Sequence, residues 1–420
     1  VPANIVNLSE IVRRPLVDEA GDRIGRIEDV IVRLGDDPHP PVEGFVVRIG
    51  GRDLFVPASK ISSLDVRPLE FQGKRLDLRK FERREGEILL AKDLLARHLI
   101  NFVGGRLIRA NDILLAPTET SYEVVAVDPG RRPLLRRIFP GRMSEGVSRS
   151  GVVDFASIAP FVSHVPSAKL HIPYRKLSRL HPAQIADLVE AASHDEGEEI
   201  IEAVGEDLEL EADVFEELDM EHQLEFLESR SDPEASRLLE RMAPDDAADL
   251  ITEVDQGRRL SILDLLPEPQ QQKVRNLLTY NPETAGGIMS PDFVAVPSSA
   301  TVGDALRAIK VSRAPTETLN AVFIVDGVNG LKGAVSIASL VKADEHQMIS
   351  EVAQSESAHV HASWDLNRVA RQMSDFNLTV VAVVDAEHRQ LLGVVTIDDL
   401  IELLLPQGWR RDFGMATVEE

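Results

Sequence analysis

Hydrophobic and polar positions keep three different rhythms along this chain, with changes near residues 180 and 285. In the first stretch, short apolar runs such as DVIVRL and GFVVRI alternate with polar positions and are interrupted by EAGD, RLGDD and RIGGRD. Alternation puts every second side chain on one face of a strand, and the Gly and Asp clusters between the runs predict turns. DDPHPPVEG must be a loop, because proline cannot donate to a central ladder. From 181 the period lengthens to three and four residues in HPAQIADLVEAAS, DVFEELDMEHQLEFLESR, SDPEASRLLERM, APDDAADLITEV, DQGRRLSILDLL and PEPQQQKVRNLL. These phrases predict amphipathic helices, most of them opened by Pro or Asp. Each is too short to be stable alone, so stacking into a helical superhelix with an acidic face is expected. Beyond the phrase TYNPETAGGIMS the pattern becomes strand, helix and two strands, written twice.

Repeats sharpen this division. RPLVDEAGDRIGRIEDVIV is echoed by RHLINFVGGRLIRANDILLA, and LFVPASKISSLD by LHIPYRKLSRLH. The pair resembles PRC-barrel domains, which implies two small β-barrels over residues 1–85 and 86–180, serving regulation or protein contact. In the last third, AVFIVDGVNGLKGAVSIASL lies on VVAVVDAEHRQLLGVVTIDDL with the strands in register. Neither copy can cover its sheet alone, so the two are expected to pack face to face. The expected series is two barrels, a helical superhelix over 181–284, an α/β pair over 285–408 and a tail over 409–420.

Composition narrows the function. The 420 residues carry a formal charge of −24, with 43% hydrophobic and 28% charged residues, and the pI is near 4.9. Such an acidic chain is poorly suited to a nucleic-acid backbone or an anionic lipid surface. It suits cation binding, or simply solubility. There is no cysteine, which removes disulfides, thiolate catalysis and cysteine-ligated metals and fits a reducing cytoplasm. No run approaches the roughly 20 apolar residues of a membrane helix, and VPANIVNLSEIVRR lacks the basic head and apolar core of a signal peptide. Direct membrane insertion is therefore not expected. Arg131, Arg132, Arg136 and Arg137 form the obvious basic cluster, read as a surface loop or a clamp for the acidic helices.

The candidate chemistry begins in MAPDDAADLITEV. Proline opens the helix, and Asp245 and Asp246 meet its positive end. Asp249 lies one turn beyond Asp245 on the same face. Two carboxylates so placed either cap and solvate the helix or share a hard cation with oxygens from another element. YNPETAGGIM, the acidic helices with PDDAADL, and the two βαβ-like units ending in GVVTIDDL together resemble the cytosolic part of MgtE-type magnesium transporters. The likeness spans roughly residues 181–408. It implies an MgtE N-type superhelix, tandem CBS domains and a Mg²⁺ sensor whose acids repel until the cation closes the helices onto the CBS pair. By that resemblance Asp245 and Asp249 map to metal ligands, with Asp365 and either Asp399 or Glu402 as partners from the second CBS unit. It also implies a homodimer through the CBS domains. The transporters' membrane domain does not follow here, so the expectation is a soluble cytoplasmic regulator of a separate divalent-metal transporter. A constitutive scaffold is the alternative.

CBS pairs often bind adenosine nucleotides through a GxxTxxD phrase. Gly393, Thr396 and Asp399 preserve it in the second unit, whereas GAVSIAS puts Ser339 where the carboxylate would stand. One ATP-type site is therefore expected at most, or a Thr–Asp helix cap without ligand. Gly286 and Gly287 are expected to form a hinge whose backbone angles a side chain would oppose. His359 and His361 share a strand face without an evident third metal ligand. No GxSxG or HExxH appears, so no enzyme is expected.

Overall fold

A computed structural model describes residues 5–130 and 151–404, except 36, 67, 74–75, 120, 166–171, 354–357 and 388. The chain divides into two compact units, Val1–Asp219 and Met220–Glu420, each taken by itself.

The first unit begins with β1 (Val6–Asn7) and the short helix α1 (Leu8–Ile11), followed by β2 (Pro15–Val17), β3 (Arg23–Arg33), β4 (Val42–Ile49), β5 (Arg52–Pro57) and β6 (Leu69–Glu70). The second copy repeats the plan with β7 (Glu87–Leu89), a π-helical turn at Leu90–Leu94, β8 (His98–Asn101), β9 (Arg106–Arg109), β10 (Asp112–Pro117) and β11 (Tyr122–Asp128). β12 (Val153–Asp154) and β13 (Ile158–Pro160) complete it. The strands expected from DVIVRL and GFVVRI are present, but the two runs do not alternate between buried and exposed: Val30, Val32, Phe45 and Val47 bury one face and Ile31 and Val46 the other. The sheets are ordered β5-β4-β3-β2-β6, β1-β10-β11-β12 and β13-β8-β9.

Two separate barrels divided at residue 85 are not what forms. Among the described residues no sheet closes on itself, and the copies exchange their first strands. β1 pairs with β10 of the second copy, while β7 pairs with β3 of the first. One apolar core follows, with Leu8, Ile11, Val30 and Phe45 packed among Leu90, Leu94, Ile113 and Val127. A buried carboxylate at the same place in each copy holds the exchange. Asp29, from RIEDVIV, accepts from Ala91 N at 2.7 Å, Val30 N at 2.8 Å and Lys92 N at 3.0 Å. Asp112, from RANDILL, accepts from Ser9 N at 3.0 Å, Ser9 Oγ at 2.5 Å and Ile113 N at 2.9 Å. Each aspartate thus satisfies N–H groups at the start of the other copy's helical turn, which have no partner within that turn. Burial pushes the Asp29 carboxyl up to about 6, with the Asp93 charge adding to the rise, even though the three N–H groups pull it down.

Helices α2 (Tyr174–Leu177), α3 (Pro182–Glu190), α4 (His194–Val204) and α5 (Leu208–Glu217) end this unit. α3 packs on α4, α5 and β9. Its start is fixed by Pro182 and by a reciprocal cap between His181 and Gln184; α4 has the corresponding Ser193–Glu196 box.

The second unit opens with α6 (Met220–Glu228), α7 (Asp232–Leu239), α8 (Pro244–Glu253), α9 (Gln256–Leu265) and α10 (Glu268–Leu277). Helices pack two apart: α6 on α8, α7 on α9, α8 on α10. This staircase buries apolar residues of each short helix, although Leu260 and Leu265 of α9 stay exposed. Later side chains satisfy carbonyls left open at earlier helix ends. Arg258 donates to Arg230 O at 2.7 Å and Leu227 O at 3.4 Å while pairing with Asp232 at 2.8 Å. Gln270 Nε2 donates to Met242 O at 3.0 Å and Leu239 O at 3.2 Å.

Two small sheets follow. β14 (Ala295–Pro297), β15 (Ala321–Val325) and β16 (Leu331–Ser336) form the first, flanked by α11 (Val302–Val311), α12 (Ile337–Lys342) and α13 (Ile349–Val352). β17 (His359–His361), β18 (Val380–Val384) and β19 (Leu391–Thr396) form the second, with α14 (Leu366–Phe376) and α15 (Ile397–Leu404). In both, the first strand joins parallel and the last antiparallel. Phe323 and Leu331 pack with Val380, Val384, Leu391 and Val394, so the copies cover one another as the repeat predicts. The hairpin tips are also stitched, Leu331 N to Arg389 O at 2.9 Å and Leu391 N to Asn329 O at 3.0 Å. Lys273 Nζ on α10 pairs with both Asp292 oxygens, at 2.6 and 2.8 Å, tying the helices to the chain entering β14.

Candidate functional site

α8 presents the acids that the sequence singled out. Ala247, Ala248, Leu250 and Ile251 bury its inner face, and Asp245 and Asp249 stand one turn apart beside them. Asp249 is pushed up to about 6, chiefly by burial and secondarily by Glu253 one turn on. Among the described residues no hydrogen bond holds it down. A carboxylate in that position lacks compensation for the water it has lost. A hard cation would supply it, so oxygen-only donors of this kind fit Mg²⁺.

The proposed partners from the second α/β copy are occupied locally. Asp365 is exposed at the N-terminus of α14 and accepts from Arg368 N at 3.0 Å. Asp399 lies in the first turn of α15, where Thr396 Oγ1 donates to it at 2.5 Å and receives Asp399 N at 3.4 Å. Glu402 belongs to α15, but its side chain lies outside the described residues, as do Arg131, Arg132, Arg136 and Arg137. Among the described residues, Asp245, Asp249, Asp365 and Asp399 are not gathered into one cluster of three ligands.

Thr396 is buried, and its counterpart Ser336 caps α12 through Ser339 N at 3.2 Å. The hydroxyl thus serves the same helix-capping role in both copies. Gly393 has a packing reason: a Cβ there would stand 2.8 Å from Ser290 O and 2.9 Å from the Met289 side chain. Val381, Ala382 and Val383, which could line an adenine slot, are all buried.

Gly286 and Gly287 call for a correction. Neither has the left-handed backbone expected of it. They are needed for close approach. A Cβ on Gly286 would meet Tyr280 Cδ1 at 2.5 Å and Ala362 O at 3.0 Å; one on Gly287 would reach Pro282 Cα at 2.5 Å and the Asn281 carbonyl. The TAGGIMS segment is buried from Ala285 to Ser290 and hydrogen-bonded to the second copy. Ala285 N donates to Trp364 O at 2.8 Å, Gly286 N to Ala362 O at 2.9 Å and Ser290 N to Val394 O at 2.8 Å. It is a strap rather than a loose joint.

Where the strap meets the β17–α14 corner, the histidine pair that the sequence placed on one strand face is joined by Trp364 and Arg368, which sequence reasoning missed. The Arg368 guanidinium lies 3.6 Å from the Trp364 ring centre, and the His361 ring is 5.4 Å from Trp364. His359 and His361 are 5.8 Å apart edge to face, with Arg389 Nη2 3.2 Å from His359 Nδ1. The Trp364–Arg368 spacing of four at a helix start was the available signal.

Residues 180–283 match the MgtE intracellular N domain, and residues 285–346 and 349–406 each match the CBS domain. The magnesium transporter MgtE of Thermus thermophilus is 34% identical over 196 residues, covering 46% of this chain and 43% of that protein. The Enterococcus faecalis magnesium transporter MgtE is 32% identical over 147 residues, covering 35% and 32%. The chain thus spans less than half the length of these relatives. Among solved structures, the soluble part of a magnesium transporter aligns with a TM-score of 0.50 at 26% identity, covering 55% of this chain and 90% of that one. The cytosolic domain of the Mg²⁺ channel MgtE in complex with ATP aligns with a TM-score of 0.50 at 28% identity, covering 55% and 93%. Among the described residues no helix is long and apolar enough to cross a membrane. Residues 180–406 thus carry an MgtE intracellular N domain followed by two CBS domains, the series to which the cytosolic regions of magnesium transporters are similar.

Proposed function

We propose that this chain is a cytoplasmic, non-catalytic Mg²⁺-sensing region that regulates metal-ion transport, acting on a separate divalent-metal transporter. The observation carrying the proposal is Asp249, a desolvated carboxylate without a hydrogen bond among the described residues, one turn from Asp245 on a helix of an MgtE N domain. Cation binding there removes a charge penalty and biases the helices toward the form that brings further acids to the ion. Asp365, Asp399 and Glu402 are the proposed contributors from the second CBS domain. Apolar side chains exposed on the CBS helices, Val311, Ile337, Val341, Phe376, Ile401 and Leu403, support a homodimer through this pair. Small-angle scattering across a Mg²⁺ titration at constant ionic strength tests the reading. Compaction is expected for the wild type and should move to higher Mg²⁺ in D245A/D249A. Equal compaction with monovalent salt alone, or none, refutes it.

A second reading, an adenine-nucleotide site at Gly393, Thr396 and Asp399, draws on the ATP-bound relative. The Thr396–Asp399 cap competes with it, since ribose would have to replace the hydrogen bond already made. Titration calorimetry with ATP decides between them: heat abolished by D399A supports the ribose role, whereas no heat leaves the phrase a helix cap.

A further inference from the structure

In the first unit, α4 is docked on the 3₁₀ turn Val162–His164 by two carboxylates of one helix face. Glu199 accepts from Val162 N at 2.6 Å and Ser163 N at 2.7 Å, closing the start of the turn. Glu196, buried, closes its end: Oε1 lies 3.2 Å from His164 Nε2, and Oε2 lies 3.5 Å from His98 Nδ1 on β8. Glu196 also accepts from Ser193 N at 2.8 Å and Ser193 Oγ at 3.0 Å, so its position is set by the cap of α4 itself. The ring of His164 is 12% exposed and packs edge to face on buried Phe161, 5.7 Å between centres.

The two histidines differ in one respect. His98 is half exposed, so water can reach its ring nitrogens. In His164, Nε2 lies 3.2 Å from Glu196 Oε1, while buried Nδ1 has no hydrogen-bond partner among the described residues. A neutral imidazole tolerates this, because a lone acceptor site is the milder loss. An imidazolium would carry a buried N–H with no acceptor, at the cost of an unsatisfied charged donor.

We propose that the contact between α4 and the Val162–His164 turn is an acid-released latch: a second proton on His164 has no acceptor among the described residues while the helix is docked, so protonation separates them. The surroundings agree with this direction. Burial pushes the His164 ring below its ordinary value, Arg97 and His98 push the same way, and Glu196 and Glu199 oppose them. His194, at the first position of α4, pairs with Glu198 at 3.8 Å. The docked state therefore holds the neutral ring. Its advantage is complete above the free-histidine value of 6.5 and is lost as pH falls below it.

Hydrogen exchange on the full chain, normalised for the intrinsic pH dependence of exchange, tests this. Protection across 194–204 should fall by up to about tenfold for each pH unit below the free-histidine value. H164Q keeps a donor toward Glu196 but cannot take a second proton, so its protection should be flat. H98Q should respond as the wild type does. Unchanged wild-type protection overturns the proposal, as does equal acid lability in H164Q. Should H164Q fail to fold, the ring titration of wild-type His164 by NMR replaces it: a midpoint below the free-histidine value of 6.5 supports the latch, and one at or above 6.5 overturns it.

Discussion

Replacing Asp249 by Asn removes one negative charge from α8 with almost no change in shape. The carboxyl is pushed from 3.8 up to about 6, which corresponds to about 3 kcal/mol of penalty on the charged form at neutral pH. The amide is still desolvated, so the net gain in D249N should be smaller, about 1–2 kcal/mol. The sign follows from the direction of the shift. A group raised by folding favours the folded state fully below its unfolded value and loses that advantage as pH rises through about 6. In chelator near neutral pH, D249N should therefore melt higher than wild type, by about 2–4 °C for each kcal/mol in a unit of this size. Acidification toward pH 5 should narrow the gap, because the wild-type carboxyl then takes up its proton. Mg²⁺ should narrow it too, by stabilising the wild type in proportion to ln(1 + [Mg²⁺]/Kd) while leaving the variant less affected. Paired thermal melts with chelator and with Mg²⁺, at both pH values, measure all of this. If D249N melts at or below the wild type in chelator, the charge penalty at Asp249 is not there. If Mg²⁺ raises both proteins equally, Asp249 is not the ion's contact.

Two further substitutions address the framework. G287A places a methyl group against the Asn281 carbonyl and Pro282 Cα, backbone atoms that cannot swing aside, and should cost about 1–3 kcal/mol in urea unfolding; a variant as stable as wild type would return the strap to a simple turn. D112A removes the acceptor for Ser9 N, Ser9 Oγ and Ile113 N and should cost about 2–4 kcal/mol, with faster hydrogen exchange concentrated at residues 6–11. Uniform loosening of both β copies would count against the reciprocal exchange.

Elements governed by near neighbours along the chain are legible in the amino-acid sequence itself. The period in APDDAADLITEV, with Pro244 at its head, marks α8, and the repeat AVFIVDGVNGL over VVAVVDAEHRQ marks two like sheets that must cover each other. Turns at Gly21, Gly50 and Gly51 follow from residues that tolerate left-handed backbone. The family motif likewise rests on local spelling, and it pointed to Asp245 and Asp249 on one helical face.

What tertiary structure alone decided concerns atoms distant in sequence. Nothing in RIEDVIV or RANDILL says that each aspartate will cap the helical turn of the other copy, because either pairing satisfies the same alternation. The TAGGIM glycines looked like conformational freedom, yet what excludes a side chain is Tyr280, Ala362, Asn281 and Pro282 pressed against them. Sequence spacing placed Asp249 on a face, but not how much water that face would lose. It paired no partner with His164 and could not show that one of its ring nitrogens would be buried without an acceptor among the described residues. Periodicity sets which side of an element is apolar, since that depends on residues one turn or two positions away. Close approach, desolvation and unsatisfied hydrogen bonds depend on what another segment brings to the same point in space, and only the assembled fold supplies that.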